Sequence, residues 1–200
     1  MELKRVVVTG MGIISPVGNS LDEAWQNAAN GVSGAQRIPE FEEAGLKVQI
    51  GAPVKNFDAE EFMGRREIRR TDRVTHFGLY ACQQAMDDSG IEVSQEDPYE
   101  FGVLMGTGIG GIQSLIDGIV GVLDKGPNSV SPLLLPMMLP DSPAGKIAIE
   151  LGLRGPNMSI STACATGNNC IGEAYEIVRR GSATMMMAGT MTTMTTGMTT

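Results

Sequence analysis

The sequence predicts an α/β fold, a sheet with helices packed over it, and three observations carry that reading. Short apolar, β-rich runs recur at residues 5–9, 101–105 and 158–162. Amphipathic helical stripes lie between them, and glycine-rich turns follow the first two runs directly.

Residues 5–9 form a continuous apolar run, the pattern of a fully buried strand, and Gly10-Met11-Gly12 then turns the chain. Ser20 with Glu23 three residues on is a capping box, which opens a helix running to about Asn30, where Gly31 supplies a left-handed stop. A strand is expected over residues 48–52. The clearest helix starts at Thr71-Asp72 and ends at Gly90, with Val74, Phe77, Ala81, Cys82 and Ala85 on one stripe. Cys82 therefore reads as a small buried hydrophobe. His76, the only histidine, falls beside Asp72 and Tyr80 on the polar side, as a solvated residue or one held in the capping turn.

Residues 101–105 are a second buried strand, and they run into Gly106-Thr107-Gly108-Ile109-Gly110-Gly111. Four glycines in six residues let backbone approach something closely. Helices follow at residues 112–123 and 143–151, the latter with Asp141 near its start and Gly152 at its end. Residues 158–162 read as a strand, and 166–179 as a helix with Ile171, Ala174, Tyr175 and Val178 on one side.

Composition excludes several functions. The 200 residues carry 15 Lys and Arg against 23 Asp and Glu, a formal charge of −8, with one Trp and five Phe. Such a chain offers no basic, aromatic-studded face for nucleic acid. Cys82, Cys164 and Cys170 are too few and too unevenly spaced for a disulfide framework or a metal site, which favours a reducing compartment. The apolar run at 6–8 is too short for a signal peptide, and the apolar stretch at 133–139 is cut by Pro132, Pro136 and Pro140, well short of the roughly 20 residues of a membrane span. A cytoplasmic protein, away from membranes, is expected.

Cys164 lies where the strand over 158–162 gives way to the helix over 166–179. A thiol at a helix N-terminus faces unsatisfied N–H groups and the positive end of the dipole, both of which favour thiolate. Ala163, Ala165 and Gly167 leave room for a bulky substrate. From spacing alone, a nucleophile and a buried structural cysteine both remain open. Cys170 lies about 240° around the helix from Cys164, so the two do not readily pair.

The run Gly155-Pro156-Asn157-Met158-Ser159-Ile160-Ser161-Thr162-Ala163-Cys164-Ala165-Thr166-Gly167 closely resembles the nucleophile motif of the β-ketoacyl-(acyl-carrier-protein) synthases, the condensing enzymes of fatty-acid synthesis. Residues 5–18, Thr71-Asp72-Arg73, the glycine run at 106–111 and Ser131-Pro132 agree in order and spacing, and the synthase II type is the most similar. The resemblance implies half of a thiolase-like fold, with a central mixed, mostly parallel sheet covered by helices. It implies that Cys164 takes an acyl group from an acyl carrier protein as a thioester, before decarboxylative Claisen condensation with malonyl-carrier protein. The Cys164 N–H would supply one oxyanion-hole donor. Ile109 and Ala163 would line the acyl channel, with Leu134 and Leu135 reaching in from a partner subunit of a homodimer. No cofactor and no metal are implied.

Two departures qualify that expectation. The family's two catalytic histidines and its lysine lie in a second half that this chain does not match, so the chain by itself is expected not to condense, and an exposed apolar face is expected where that half would pack. Residues 1–181 form the matching unit, and 182–200 carry eight Thr, six Met and no charge. That segment reads as an artificial end or as a native-like strand with a loose tail. In the family the strand there lies beside the first one, and Met in place of branched residues should loosen it. Two other classes compete: a chain-length-factor-like or carrier-binding module, against which Cys164 argues, and a dinucleotide-binding domain. The latter rests on Gly10-Met11-Gly12, but the third glycine position is Ser15 and no acidic residue ends the strand at 48–52.

Overall fold

In the computed structural model, which describes residues 3–191, a three-stranded parallel sheet carries helices on both faces. The helices are α1 (Leu21–Ala29), α2 (Pro39–Glu43), α3 (Ala59–Met63), α4 (Arg65–Ile68), α5 (Arg73–Ser89), α6 (Ile112–Lys125), α7 (Leu134–Met138), α8 (Ser142–Leu151) and α9 (Thr166–Arg179). The strands are β1 (Gln36–Arg37), β2 (Ile50–Gly51), β3 (Phe101–Thr107), β4 (Asn157–Met158) and β5 (Met185–Met191). The sheet order is β4-β3-β5, and β1 with β2 forms a separate antiparallel pair.

β3 is the centre of the molecule, and all of its residues are buried. Because side chains alternate across a strand, its two faces differ. Phe101, Val103 and Met105 join Val74, Phe77, Cys82, Ala144 and Ile147 of α5 and α8 in the larger core. The other face carries Gly102, Leu104 and Gly106, and Leu104 packs with Cys170 and Ala174 of α9. That face is mostly backbone. A Cβ on Gly106 would stand 2.3 Å from the Ile160 carbonyl oxygen and 2.4 Å from Thr166 Cγ2, and one on Gly102 would stand 2.4 Å from the Pro156 carbonyl oxygen.

Helix ends follow the sequence signals. Ser20 Oγ accepts the Glu23 N–H at 3.3 Å, and Gly31 follows α1 at φ 69°. Asp72 caps α5, which Gly90 ends at φ 65°. The stripe on α5 divides: Val74, Phe77 and Cys82 are buried in the core, whereas Ala81 and Ala85 receive the N-terminal segment. The short helices α2, α3, α4 and α7 were not evident in the periodicity, since one turn gives no period to read.

Several expectations are corrected. Residues 5–9 join no sheet among the described residues, and Val8 is 78% exposed. The segment after them is drawn onto α5 instead. Met11 N–H donates to Asp88 Oδ2 at 2.9 Å, and Gln84 Nε2 donates to the carbonyls of Ile13 and Asn19, each at 3.0 Å. Gly10 and Gly12 lie so close to α5 that Cβ atoms there would stand 2.2 and 2.0 Å from the Ala85 and Ala81 carbonyl oxygens. This explains the Gly-x-Gly: it accommodates a helix, and no space for a pyrophosphate is left above it. β5 pairs with β3, in register from Phe101 opposite Met185 to Thr107 opposite Met191, and among the described residues it has no pairing with the first run.

The strand expected over 158–162 is only Asn157–Met158, because the hydroxyls beyond it turn to loops: Ser159 Oγ donates to the Pro140 carbonyl at 3.0 Å. The strand over 48–52 shrinks to Ile50–Gly51 and lies in the outlying pair. On α9 the buried residues are Thr166, Cys170, Ala174 and Ile177, whereas Ile171 and Tyr175 are exposed. The glycine face of β3 admits the small side chains and rotates the larger ones outward. Of the two readings of His76, the capping-turn one holds, with Nε2 3.0 Å from Thr71 Oγ1 next to the N-cap, and the residue is buried where a solvated face was expected. The expected tail beyond residue 191 lies outside the described residues.

Two measurements check this account. Leu104→Ala, which removes a fully buried side chain at the strand centre, should cost about 2–5 kcal/mol in urea unfolding. Burial pushes the His76 pKa below its ordinary value of 6.5. The unfolded chain therefore takes up the proton first, and the stability from neutral His76, complete above 6.5, is lost as pH falls through the lower folded value. His76→Gln should flatten the fall in Tm between about pH 7 and 5.

Candidate active site

The glycine face of β3 determines where Cys164 sits. With Gly106 beneath Ile160 and Thr166, the segment from Pro156 to α9 lies directly on the sheet, and Val103 N–H donates to the Pro156 carbonyl at 2.8 Å. One 3₁₀ turn, Ala163–Ala165, joins that segment to α9. Ala163 is left-handed at φ 51°, a conformation that costs a non-glycine residue about 1–2 kcal/mol. Its neighbours hold it there. Ser161 Oγ donates to the Gly108 carbonyl at 3.2 Å, and Thr162 N–H donates to the buried Thr166 Oγ1 at 2.9 Å.

This turn projects Cys164 into solvent just before the first residue of α9. Ala165, the N-cap, offers no side-chain acceptor to the first turn of α9, and the Ala165 and Thr166 N–H groups donate to the Thr162 and Ala163 carbonyls of the 3₁₀ turn. Cys82 and Cys170 are the contrast. Both are buried free thiols; burial pushes Cys82 up to about 12 and also raises Cys170, whose sulfur sits at the Gly106 contact.

Of the expected channel residues, Ala163 meets the glycine loop that carries Ile109, through Gly108. Gly108 lies against Ala163, a Cβ there being 3.9 Å from the Ala163 Cα, and Ile109 follows it with its side chain exposed. Leu134 and Leu135 lie on α7, where Leu134 packs over Gly118 of α6 and Leu135 is exposed. Cys164 is thus reached from open surface. It lines neither of two shallow clefts, one of about 510 Å³ and one of about 430 Å³.

The larger cleft holds what the overall charge concealed. Arg65, Arg66, Arg69 and Arg70 line it together with Leu133. Glu67, in the same stretch, turns away to Lys146 of α8, whose hydrogen bond holds its carboxyl below the ordinary value. An acidic chain thus presents a cluster of arginines here, of which Arg65 is paired with Glu60. The spacing of arginines over 65–70 was the available signal.

Helices layered on a parallel sheet, with Cys164 exposed just before a helix N-terminus, give an α/β architecture of the thiolase-like type. Residues 3–200 match the family model described as β-ketoacyl synthase, N-terminal domain, and the chain belongs to that family. It is 44% identical over 189 residues to 3-oxoacyl-(acyl-carrier-protein) synthase 2 of Synechocystis sp., covering 94% of this chain and 45% of that protein. It is 41% identical to the protein of the same name from Staphylococcus aureus, covering 93% and 45%. The chain therefore spans about half the length of these relatives.

Among solved structures, a β-ketoacyl synthase from Burkholderia phymatum is 28% identical with a TM-score of 0.79, over 93% of this chain and 46% of that one. A ketosynthase solved with its type II PKS acyl-carrier protein gives 25% and 0.83, over 95% and 51%. The ishigamide ketosynthase/chain length factor, at 24% identity and a TM-score of 0.84 over 94% and 47%, shares the fold.

The burial contrast sets an order of reactivity. Iodoacetamide should label Cys164 first in the folded protein, with Cys82 and Cys170 labelled only on unfolding, as peptide mass spectrometry would read out.

Proposed function

We propose that this chain is the nucleophile-bearing half of a β-ketoacyl-(acyl-carrier-protein) synthase and that Cys164 is its acyl acceptor. The observation that carries the reading is the exposed Cys164 on the strained turn before α9. The Cys164 thiolate attacks the carbonyl carbon of an acyl thioester on the carrier's phosphopantetheine. The carbonyl π electrons move onto oxygen, where the Cys164 N–H stabilises the charge. Collapse re-forms the carbonyl, breaks the bond to the phosphopantetheine sulfur, and leaves acyl-Cys164 and a carrier thiol that takes up a proton.

Malonyl-carrier protein then loses carbon dioxide, and the resulting carbanion attacks the acyl-Cys164 carbonyl and expels the cysteine thiolate. Two histidines and a lysine, which the family carries in its second half, would assist that step, so residues 1–181 alone transfer acyl groups without condensing. Residues 182–200 are a Met- and Thr-rich segment that departs from the family's pattern. Ile109 and Ala163 line the acyl channel, and Leu134 and Leu135 complete it from the partner of a cytoplasmic homodimer. Their exposed apolar surface suits an alkyl chain, each buried methylene of which is worth about 0.8 kcal/mol.

The arginine cleft supports a carrier-borne substrate, since the phosphodiester of phosphopantetheine is anionic and Arg recognises phosphate by paired hydrogen bonds. A carrier-binding module without chemistry, such as a chain-length factor, would need no reactive thiol.

Incubation with an acyl-carrier-protein thioester should add one acyl mass to Cys164, and Cys164→Ala should abolish the adduct. In an Arg66→Glu/Arg70→Glu variant, transfer from the carrier should fall on the order of tenfold or more, while transfer from a small N-acetylcysteamine thioester stays unchanged. Binding of the carrier with no transfer to Cys164 would favour the module.

A further inference from the structure

Asp72 is 3% exposed, and its two carboxylate oxygens serve two different helices. Oδ1 accepts the Val74 N–H at 3.2 Å and caps α5. Oδ2 accepts both the Ser114 N–H at 2.9 Å and the Ser114 hydroxyl at 2.6 Å, in the first turn of α6. The N-cap of α6 is Gly111, which has no side chain to cap with, so the carboxylate that meets this helix start comes from α5.

The same aspartate also limits the glycine loop by contact. A Cβ on Gly111 would stand 2.9 Å from Asp72 Cβ and 2.1 Å from the Met137 carbonyl oxygen, and the Gly111 N–H donates to the Met138 carbonyl at 3.1 Å. The loop is thereby held between Asp72 and the end of α7. At its other end, the Gly108 carbonyl accepts the Ser161 hydroxyl beside the Cys164 turn. Ile109 stands between these two anchors with its side chain exposed.

We infer that Asp72 is a positioning residue for acyl-chain selection: by holding the start of α6 it sets where Ile109 stands in the loop whose Gly108 lies against the Cys164 turn, which matters if Ile109 lines the acyl channel as proposed. The inference rests on Cys164 being an acyl acceptor. Asp72 itself touches no substrate. Its charge-assisted bonds to Ser114 are short and meet the end of a glycine-rich loop whose other side-chain tether is the Thr107 hydroxyl, which accepts the Gly110 N–H at 3.2 Å.

Two variants separate this role from simple stability. Asp72→Ser keeps a hydroxyl able to cap α5 but is too short to reach Ser114, and Ser114→Ala removes only the hydroxyl donor. Wild type and both variants are compared for alkylation of Cys164 by iodoacetamide, for acylation by carrier-protein thioesters from short to long saturated chains, and for hydrogen exchange over residues 106–115. The expected result is alkylation within about twofold of wild type, faster exchange at 109–114, and a change on the order of tenfold in the ratio of long-chain to short-chain acylation.

An unchanged ratio in both variants overturns the inference, as does a uniform loss across alkylation and every chain length. If wild type is alkylated but accepts no acyl group from any thioester, the acyl-acceptor reading itself fails and takes this inference with it. A wild type that acylates while the variants keep its ratio removes the inference alone.

Discussion

Backbone lies directly on backbone along one face of β3, and the position of Cys164 depends on that contact. Gly102 and Gly106 are separated by Leu104, so the strand offers one side chain and two bare stretches to the layer above. Gly155 repeats the device from the opposite side, where a Cβ would stand 2.7 Å from the Phe101 carbonyl carbon. An alanine at any of these positions would force the layers apart, and well-packed interiors resist even one extra methylene. Because the segment before α9 cannot retreat from the sheet, the chain has a single turn in which to enter the helix. Ala163 adopts the left-handed conformation there, and Cys164 is directed outward.

The opposite face of β3 is filled conventionally, with Phe101, Val103 and Met105 packed against α5 and α8. The sheet thus divides its work: one face supplies hydrophobic burial, and the other supplies proximity. Strain at Ala163 is tolerated because the hydrogen bonds of Ser161 and Thr162 over-determine the turn. The polar residues here close a geometry that burial alone would not specify.

What could be read from the sequence follows from which interactions are local. α5, α6, α8 and α9 were legible because period and caps lie within each helix, as with Asp72 before α5 and Gly152 after α8. Cys164 at the junction before α9 was legible for the same reason, and the motif around it pointed to the family. The place of residues 5–9 was not, because an apolar run states only that it seeks cover; Gln84 and Asp88, some 70 residues away, decide where its continuation goes. Nor was the buried face of α9, since Ile171 and Tyr175 outweigh Cys170 in hydrophobicity but do not fit against glycines. The pairing of Asp72 with Ser114 is a tertiary fact, invisible in one dimension, whereas the four arginines over 65–70 were a local signal that the acidic overall charge concealed.

β5 seats itself against β3 with Met185, Met186, Met187 and Met191, unbranched thioethers that conform to whatever space the neighbouring strand leaves. That compliance has a chemical cost. Peroxide converts each thioether into a polar, chiral sulfoxide, which no longer fits an apolar interior. The pairing of β5 with β3 is therefore open to structural damage by peroxide, and excluding peroxide would preserve the sheet as well as Cys164.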